Sequence, residues 1–177
     1  MIVIACLDQR NGMAFNHRRQ SQDCVLRGHV AELVANAPLW MNHYSASQFA
    51  TESIPNLNID DAFLQKAAQG EYCFVEDAPL APFEKWIERI IIFRWDRTYP
   101  ADQYFDLQLG PDQWHLIGMS EYAGHSHDLI TMEVYERCHY PTCLSVKDMK
   151  DKNKQEFHGT RDEVITKGYA PCGRCKP

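Results

Sequence analysis

The last forty residues hold too little apolar material to close around a core of their own, so something else must fold them. Cys138 and His139 stand side by side, Cys143 follows, and the chain ends with Pro171-Cys172-Gly173-Arg174-Cys175. Twenty-eight residues separate Cys143 from Cys172. Thiolates and an imidazole in two such knuckles suit a closed tetrahedral Zn2+ site, and a metal of that kind would supply most of the folding free energy of so small a segment. Cys172 and Cys175 form one half, with Gly173 giving the turn its backbone freedom. Cys143 joins the other half, and the fourth ligand is His139, at i, i+4 from Cys143, or Cys138. Disulfides are the weaker alternative, because nothing in the sequence marks it for export.

This tail resembles the small zinc-binding domain of the Ada DNA-repair protein. The match rests on His139-Tyr140-Pro141-Thr142-Cys143, Phe157, and Gly168-Tyr169-Ala170-Pro171-Cys172-Gly173-Arg174-Cys175. It is similar in particular to the short Ada-like tails appended to diverse bacterial proteins. The resemblance implies a structural zinc. Where His139 rather than Cys138 takes the fourth ligand position, the resemblance does not extend to the methyl-accepting activity.

The chain of 177 residues leaves room for one ordinary domain, 1–137, ahead of this module at 138–177. Charge divides between them. The first part holds 10 Lys and Arg against 19 Asp and Glu, a net of −9, and the second holds 8 against 5, a net of +3, together the −6 of the whole chain. An acidic main domain argues against broad coating of nucleic acid. No apolar run approaches the ~20 residues that cross a bilayer. The N-terminus lacks the basic start of a signal peptide, so a cytoplasmic setting with reduced thiols is the expectation.

Hydrophobic patterning in 1–137 alternates strand-like and helix-like runs. Residues 1–7 read as a buried strand, and Asn11-Gly12 as a turn. Leu26, Val30, Leu33, Val34 and Ala37 fall at helical spacing, ended by Pro38. Leu39-Trp40-Met41 and Tyr72-Cys73-Phe74-Val75 read as short strands, with a helix between them capped by Asp60 and stopped by Gly70. Pro82 opens a turn of helix that feeds the strand Ile90-Ile91-Ile92-Phe93, and further strands are expected over 114–117 and 130–135. The alternation predicts an α/β layered domain with a mostly parallel central sheet.

The order of these elements resembles dihydrofolate reductase, shortened. Ile2 to Cys6 with Asn11-Gly12-Met13 is similar to that family's first strand and following loop, and Leu39 to Ser45 falls at its Met-Gly-Arg-x-Thr segment. Asp102-Gln103-Tyr104-Phe105, Trp114, Ser120-Glu121-Tyr122 and Glu133-Val134-Tyr135-Glu136-Arg137 resemble its closing strands. The departures fall on the cofactor side. Where the family has a Gly-Gly pair approaching the cofactor phosphates, this chain reads Phe74-Val75-Glu76-Asp77, and Gly-Arg has become Asn42-His43. Carboxylates there repel a pyrophosphate, so NADPH is not the expected cofactor.

The segment Asn16-His17-Arg18-Arg19-Gln20-Ser21-Gln22-Asp23 replaces the family's apolar lead into its first helix. Arg forks match phosphate or carboxylate oxygens, and amides read base edges or hold backbone. Arg18, Arg19, Gln20 and Asn16 are therefore the candidate ligand-binding residues for an anionic nucleotide or RNA, unless the segment is only a polar surface loop. Asp23, near the family's catalytic carboxylate, and His17 are the candidate catalytic pair; alternatively Asp23 only caps its helix. The site readings are thus a nucleotide- or RNA-binding protein, an enzyme (a divergent reductase or a nucleotide hydrolase), or an adaptor whose zinc tail docks on a protein partner. His125-Ser126-His127-Asp128 superficially resembles a metal-hydrolase signature, but Leu129 breaks the pattern, and it reads as a loop between strands. Trp95, beside Arg94 and Arg97, reads as a core-rim residue before a base-stacking one. Cys6, Cys24 and Cys73 read as small buried apolar residues.

Overall fold

The structure is a computed structural model, and it describes residues 1–110 and 113–137 together with 163 and 166. The ligand candidates His139, Cys143, Cys172, Cys175 and Cys138 lie outside the described residues. The chain divides into two compact units: 1–107 with 119–134, and 108–118 with 135–177. Among the described residues no helix is long and apolar enough to cross a membrane.

Strand β1 (Ile2–Leu7) is the centre of the main sheet. It pairs in parallel with β6 (Tyr72–Val75) through Ile2↔Tyr72 to Ala5↔Val75, and on its other side with β7 (Arg89–Trp95). Strand β4 (Leu39–Met41) pairs in parallel with β6 and with β5 (Leu57–Ile59). With β9 (His115–Tyr122) and β10 (Ile130–Glu136) the order is β5-β4-β6-β1-β7-β10-β9. Residues such as Val3, Ile4, Ala5, Ile90, Ile91 and Ile92 are buried on both sides of the pleat, as strands covered on both faces require. The α/β class and the largely parallel sheet agree with the sequence.

Helix α1 (Cys24–Val34) lays Leu26, Val30 and Val34 into the core cluster with Ile4, Phe74, Ile91 and Phe93. The other helices are shorter than the pattern suggested. Helix α2 (His43–Ala46) follows β4, and α3 (Phe63–Lys66) has four residues where a helix from the Asp60 cap to the Gly70 stop was expected. Asp60 does not cap α3 directly, but its carboxylate accepts from Ala62 N at 2.8 Å, just ahead of it. A 3-10 turn over Ala81–Trp86 links β6 to β7.

Strand β5, helix α2 and a hairpin were absent from the sequence reading. The polar segment after β1 is a hairpin: β2 (Gly12–Phe15) pairs antiparallel with β3 (Arg18–Arg19), and β2 also pairs with β8 (Gln103–Tyr104). Its two-residue loop has Asn16 at φ 49° and His17 at φ 58°. Positive φ at both central residues is what a tight hairpin turn needs, and Asn tolerates it best among residues with a Cβ.

Candidate functional site

Among the described residues the buried polar or charged ones are Asp8, Asp23, Ser45, Glu76 and His127. All five belong to the rim at the carboxyl ends of the parallel strands. Asp8 follows β1, Glu76 follows β6, and Ser45 lies in α2 just beyond β4. Asp23 begins α1, and His127 comes from the loop before β10 to meet it. In open parallel sheets this rim is where ligands sit, and polar groups are buried there only at a desolvation cost that partners must offset.

Asp8 is fully engaged. Its Oδ1 accepts from Arg10 N and Gly12 N at 2.7 and 2.8 Å, and its Oδ2 from Tyr99 N and Gln20 Nε2 at 3.0 and 3.1 Å. Burial opposes ionisation, but these donors outweigh it and hold the carboxyl below its ordinary range. Gly12 is a packing requirement, since a Cβ there would stand 2.4 Å from Gln20 Nε2. Asp8 thus ties the strand end to the hairpin.

Asp23 is the hub of a second assembly. Its Oδ1 accepts from Val25 N at 2.9 Å and Leu26 N at 3.4 Å, capping α1. Its Oδ2 accepts from Ser126 N at 2.7 Å and Ser126 Oγ at 2.9 Å, and lies 3.5 Å from His127 Nδ1. Burial raises the carboxyl pKa, but backbone donation from Ser126 and His125, the Ser126 hydroxyl and Val25 N bring it far below the ordinary range. An acid so weakly basic stays ionised at neutral pH and is not a proton donor. The imidazole beside Asp23 is His127, whereas His17 stands exposed at the hairpin turn and is not among the partners of Asp23.

The His127 ring has a defined orientation. It stacks on Trp95 at 4.3 Å between centroids, its Nδ1 is 3.1 Å from Ser126 Oγ, and its Nε2 is 3.0 Å from the Tyr99 hydroxyl. Ser126 has one hydroxyl proton and two acceptors for it, Asp23 Oδ2 and Gln22 O at 3.0 Å. In an uncharged ring the proton therefore sits on Nδ1, and Nε2 accepts from Tyr99. A line of hydrogen bonds runs from a buried carboxylate to a half-buried phenol. The short spacing His125-Ser126-His127 gave no sign of this, because Asp23 lies 104 residues away from His127.

The third assembly joins the hairpin to α2. Alternation along β3 turns Arg19 inward and leaves Arg18 exposed, opposite Phe15, which is 50 % exposed. Arg19 N donates to the Tyr44 hydroxyl at 2.7 Å and its guanidinium to Tyr44 O at 2.8 Å, with the Tyr44 ring 4.4 Å below. Arg19 Nε also lies 3.4 Å from Glu76 Oε1. Burial raises the Glu76 carboxyl above its usual range, and Arg19, Ser45 and Gln48 only temper that. Glu76 Oε2, Ser45 Oγ, Gln48 Nε2 and Arg19 Nε make no hydrogen bond of acceptable geometry although all are buried. Nearby, burial first and Glu76 second push the Cys6 thiol well up, so it is no nucleophile.

No protein-family model and no curated protein matches this sequence. Among solved structures the chain is similar to the dihydrofolate reductase from Enterococcus faecalis complexed with NADP(H) and RAB-propyl. The TM-score is 0.55 at 8 % identity, over 76 % of this chain and 94 % of that one. The chain has a dihydrofolate reductase-like fold. At this identity the likeness concerns the fold alone.

The departures from the reductase pattern have internal uses. Asn42, in place of glycine, caps α2 by accepting from Ser45 N at 2.8 Å and donates to Asp77 Oδ1 at 2.8 Å. His43, in place of arginine, lies 3.1 Å from Asp61 Oδ1. Of the polar segment, Gln20 is committed to Asp8 and the Asn16 backbone N–H donates to Asp102, while the side chains of Asn16, His17 and Arg18 are exposed. Trp95 is buried, as expected of a rim residue, and Arg94 is a clamp on Glu133 at 2.9 and 3.0 Å instead of a free cation. Cys6 and Cys73 are buried, but Cys24, the first residue of α1, is exposed. Among the described residues no group of His, Cys, Asp and Glu is gathered that could hold a metal ion.

Proposed function

We propose that this chain binds an anionic nucleotide, or a short run of RNA, through the hairpin tip Phe15–Arg18 on its reductase-like scaffold. The observation that carries the reading is the division of labour in β3: Arg19 anchors the hairpin to Tyr44 and Glu76, and Arg18 is presented beside an exposed aromatic ring. A cation paired with an aromatic face suits a base and its phosphate together. One outward guanidinium and the His17 imidazole on an acidic domain can neutralise few phosphates, which favours a small nucleotide over a long polymer. Calorimetric titration with mononucleotides and a short oligoribonucleotide tests this. Arg18→Ala is expected to weaken binding about tenfold and flatten its salt dependence; unchanged affinity in both Arg18→Ala and Phe15→Ala would refute it.

The same geometry supports a scaffold that has given up NADPH. Glu76 occupies the end of β6 where the family resemblance places glycines, and its carboxylate, already needing Arg19 to offset its burial, does not fit a pyrophosphate. Titration with NADPH is expected to show no complex, and micromolar binding would revive a reductase. An enzymatic alternative draws on the Asp23–Ser126–His127–Tyr99 line, with Tyr99 as the group that meets a ligand and Asp23 as its anchor. In that case Tyr99→Phe abolishes turnover of a bound nucleotide, and a wild-type protein that leaves nucleotides intact refutes it. For residues 138–177 we propose a structural zinc held by Cys143, Cys172, Cys175 and either His139 or Cys138, on the spacing of the sequence alone. Less than one zinc per chain by elemental analysis removes it. An adaptor role for that module, docking on a protein partner, remains the third reading.

A further inference from the structure

We infer that the hairpin site takes two linked nucleotides, with Tyr104 as the platform for the second base; this rests on the hairpin reading above. Ala14 and Gln103 pair across β2 and β8, so their side chains share a face. That face is the inner one, with Ala14 buried and Gln103 half-buried. Side chains alternate along a strand, so the next residue on each, Phe15 and Tyr104, points the other way. Both are open to solvent, at 50 and 53 %. Arg18 pairs with Phe15 and is exposed on that same outer face. One guanidinium and two aromatic rings, from three neighbouring strands, therefore line one surface in the order Arg18, Phe15, Tyr104.

Phe15 and Tyr104 are diagonal neighbours on adjacent strands, a separation of roughly 7–8 Å that aromatic side chains still span. A sheet face with aromatics on neighbouring strands takes successive bases of one strand, a ring to each, and needs no cavity to do so. The Tyr104 hydroxyl donates to Ala101 O at 3.1 Å, which fixes the ring before a ligand arrives and lowers the ordering cost of binding. Arg18 lies on the far side of β2 from β8, so the base on Phe15 belongs to the nucleotide that carries the terminal phosphate. Asp102 is exposed at the β8 end of this surface, its Oδ2 accepting from Asn16 N at 2.9 Å. Its charge opposes anions between the two rings, so the link between the bases is a phosphodiester, with one charge, and not a polyphosphate.

The test is calorimetric titration of the full chain with AMP and with the 5′-phosphorylated diribonucleotide pApA. The dinucleotide is expected to bind about tenfold more tightly than AMP, the gain from one further base stacked on one aromatic ring. Tyr104→Ala should bring pApA to the level of AMP and leave AMP itself unchanged. The advantage of pApA should persist at about 0.5 M salt, where charge is screened and stacking is not. An advantage that salt abolishes, or that Tyr104→Ala leaves intact, would overturn the second platform. So would equal binding of pApA and AMP, a comparison that needs only the wild-type protein. If AMP still binds in that case and Arg18→Ala weakens it, the hairpin reading stands without Tyr104. Absence of binding by either ligand would overturn both.

Discussion

Replacing Asp23 by Ala removes one carboxylate that serves two elements. Its Oδ1 caps α1 through Val25 N and Leu26 N, and its Oδ2 holds Ser126 through both the backbone N–H and the hydroxyl. Loss of a helix cap costs about 1 kcal/mol. Leaving the Ser126 N–H without an acceptor in a part-buried place adds roughly 1–3 kcal/mol. The total, about 3 kcal/mol, is a large share of the roughly 5–15 kcal/mol of a typical domain but leaves it folded. With a urea slope of about 2 kcal/mol/M, the midpoint should fall by ~1.5 M. Equilibrium urea denaturation followed by far-ultraviolet circular dichroism measures this, with the fluorescence of the four tryptophans, Trp95 among them, as a second probe. The pH dependence has a definite sign. Donors hold the folded Asp23 pKa below its unfolded value of about 3.9, so its stabilisation is complete above that value and is lost as pH falls below it. The gap between wild type and Asp23→Ala should therefore be widest near pH 7 and narrow toward pH 3. A midpoint shift under ~0.3 M at pH 7, or a gap that does not narrow in acid, would refute the account of Asp23 as a hub.

Gly124→Ala should damage the same hub from the other side. Its Cβ would stand 2.6 Å from Asp23 Oδ2 and 2.8 Å from Ile130 Cδ1, at a cost of about 1–3 kcal/mol, and a double-mutant cycle with Asp23→Ala should show strong non-additivity. Arg19→Ala leaves Glu76 buried without its cation and should cost about 3–5 kcal/mol, whereas Arg18→Ala should change the stability by under ~0.5 kcal/mol. Because the folded Glu76 pKa is raised, its unfavourable share grows as pH rises from the unfolded value toward the raised folded one and is complete above it, so the loss in Arg19→Ala should be larger at pH 8 than at pH 4. Of Cys6, Cys24 and Cys73, only Cys24 should react with iodoacetamide in the native state, as peptide mass spectrometry can show. Burial pushes the Cys73 thiol up to about 12 and the other buried thiol well up too.

The sheet was legible because its strands are read locally. Ile2–Leu7, Tyr72–Val75 and Arg89–Trp95 are short apolar runs, and nothing but a doubly covered sheet buries such runs side by side. The apolar stripe Leu26, Val30, Val34 placed α1 for the same reason. The hairpin was missed because two strand residues, Arg18 and Arg19, carry no hydrophobic alternation; Asn16 at a two-residue gap was the available hint. Asp23 could be seen as a cap, but not as half of a polar assembly, since its partner Ser126 is 103 residues on. Glu76 could be seen to bar a pyrophosphate, while its answer in Arg19 depends on which way a two-residue strand faces. Polar partnerships across a sheet rim obey no period, so they come into view only with the fold.

The reach of Ser126 back to Asp23 also sets an order of assembly on a chain that emerges from its N-terminus. By the time Trp95 has left the ribosome, β1 can already register against β6 and β7. The start of α1 still waits, its carboxylate open to water, until the loop beyond β9 has been synthesised. The rim would then close late, with β10, and a nascent chain stalled short of residue 126 would hold β1 between β6 and β7 with β10 still missing and the mouth above them unsealed.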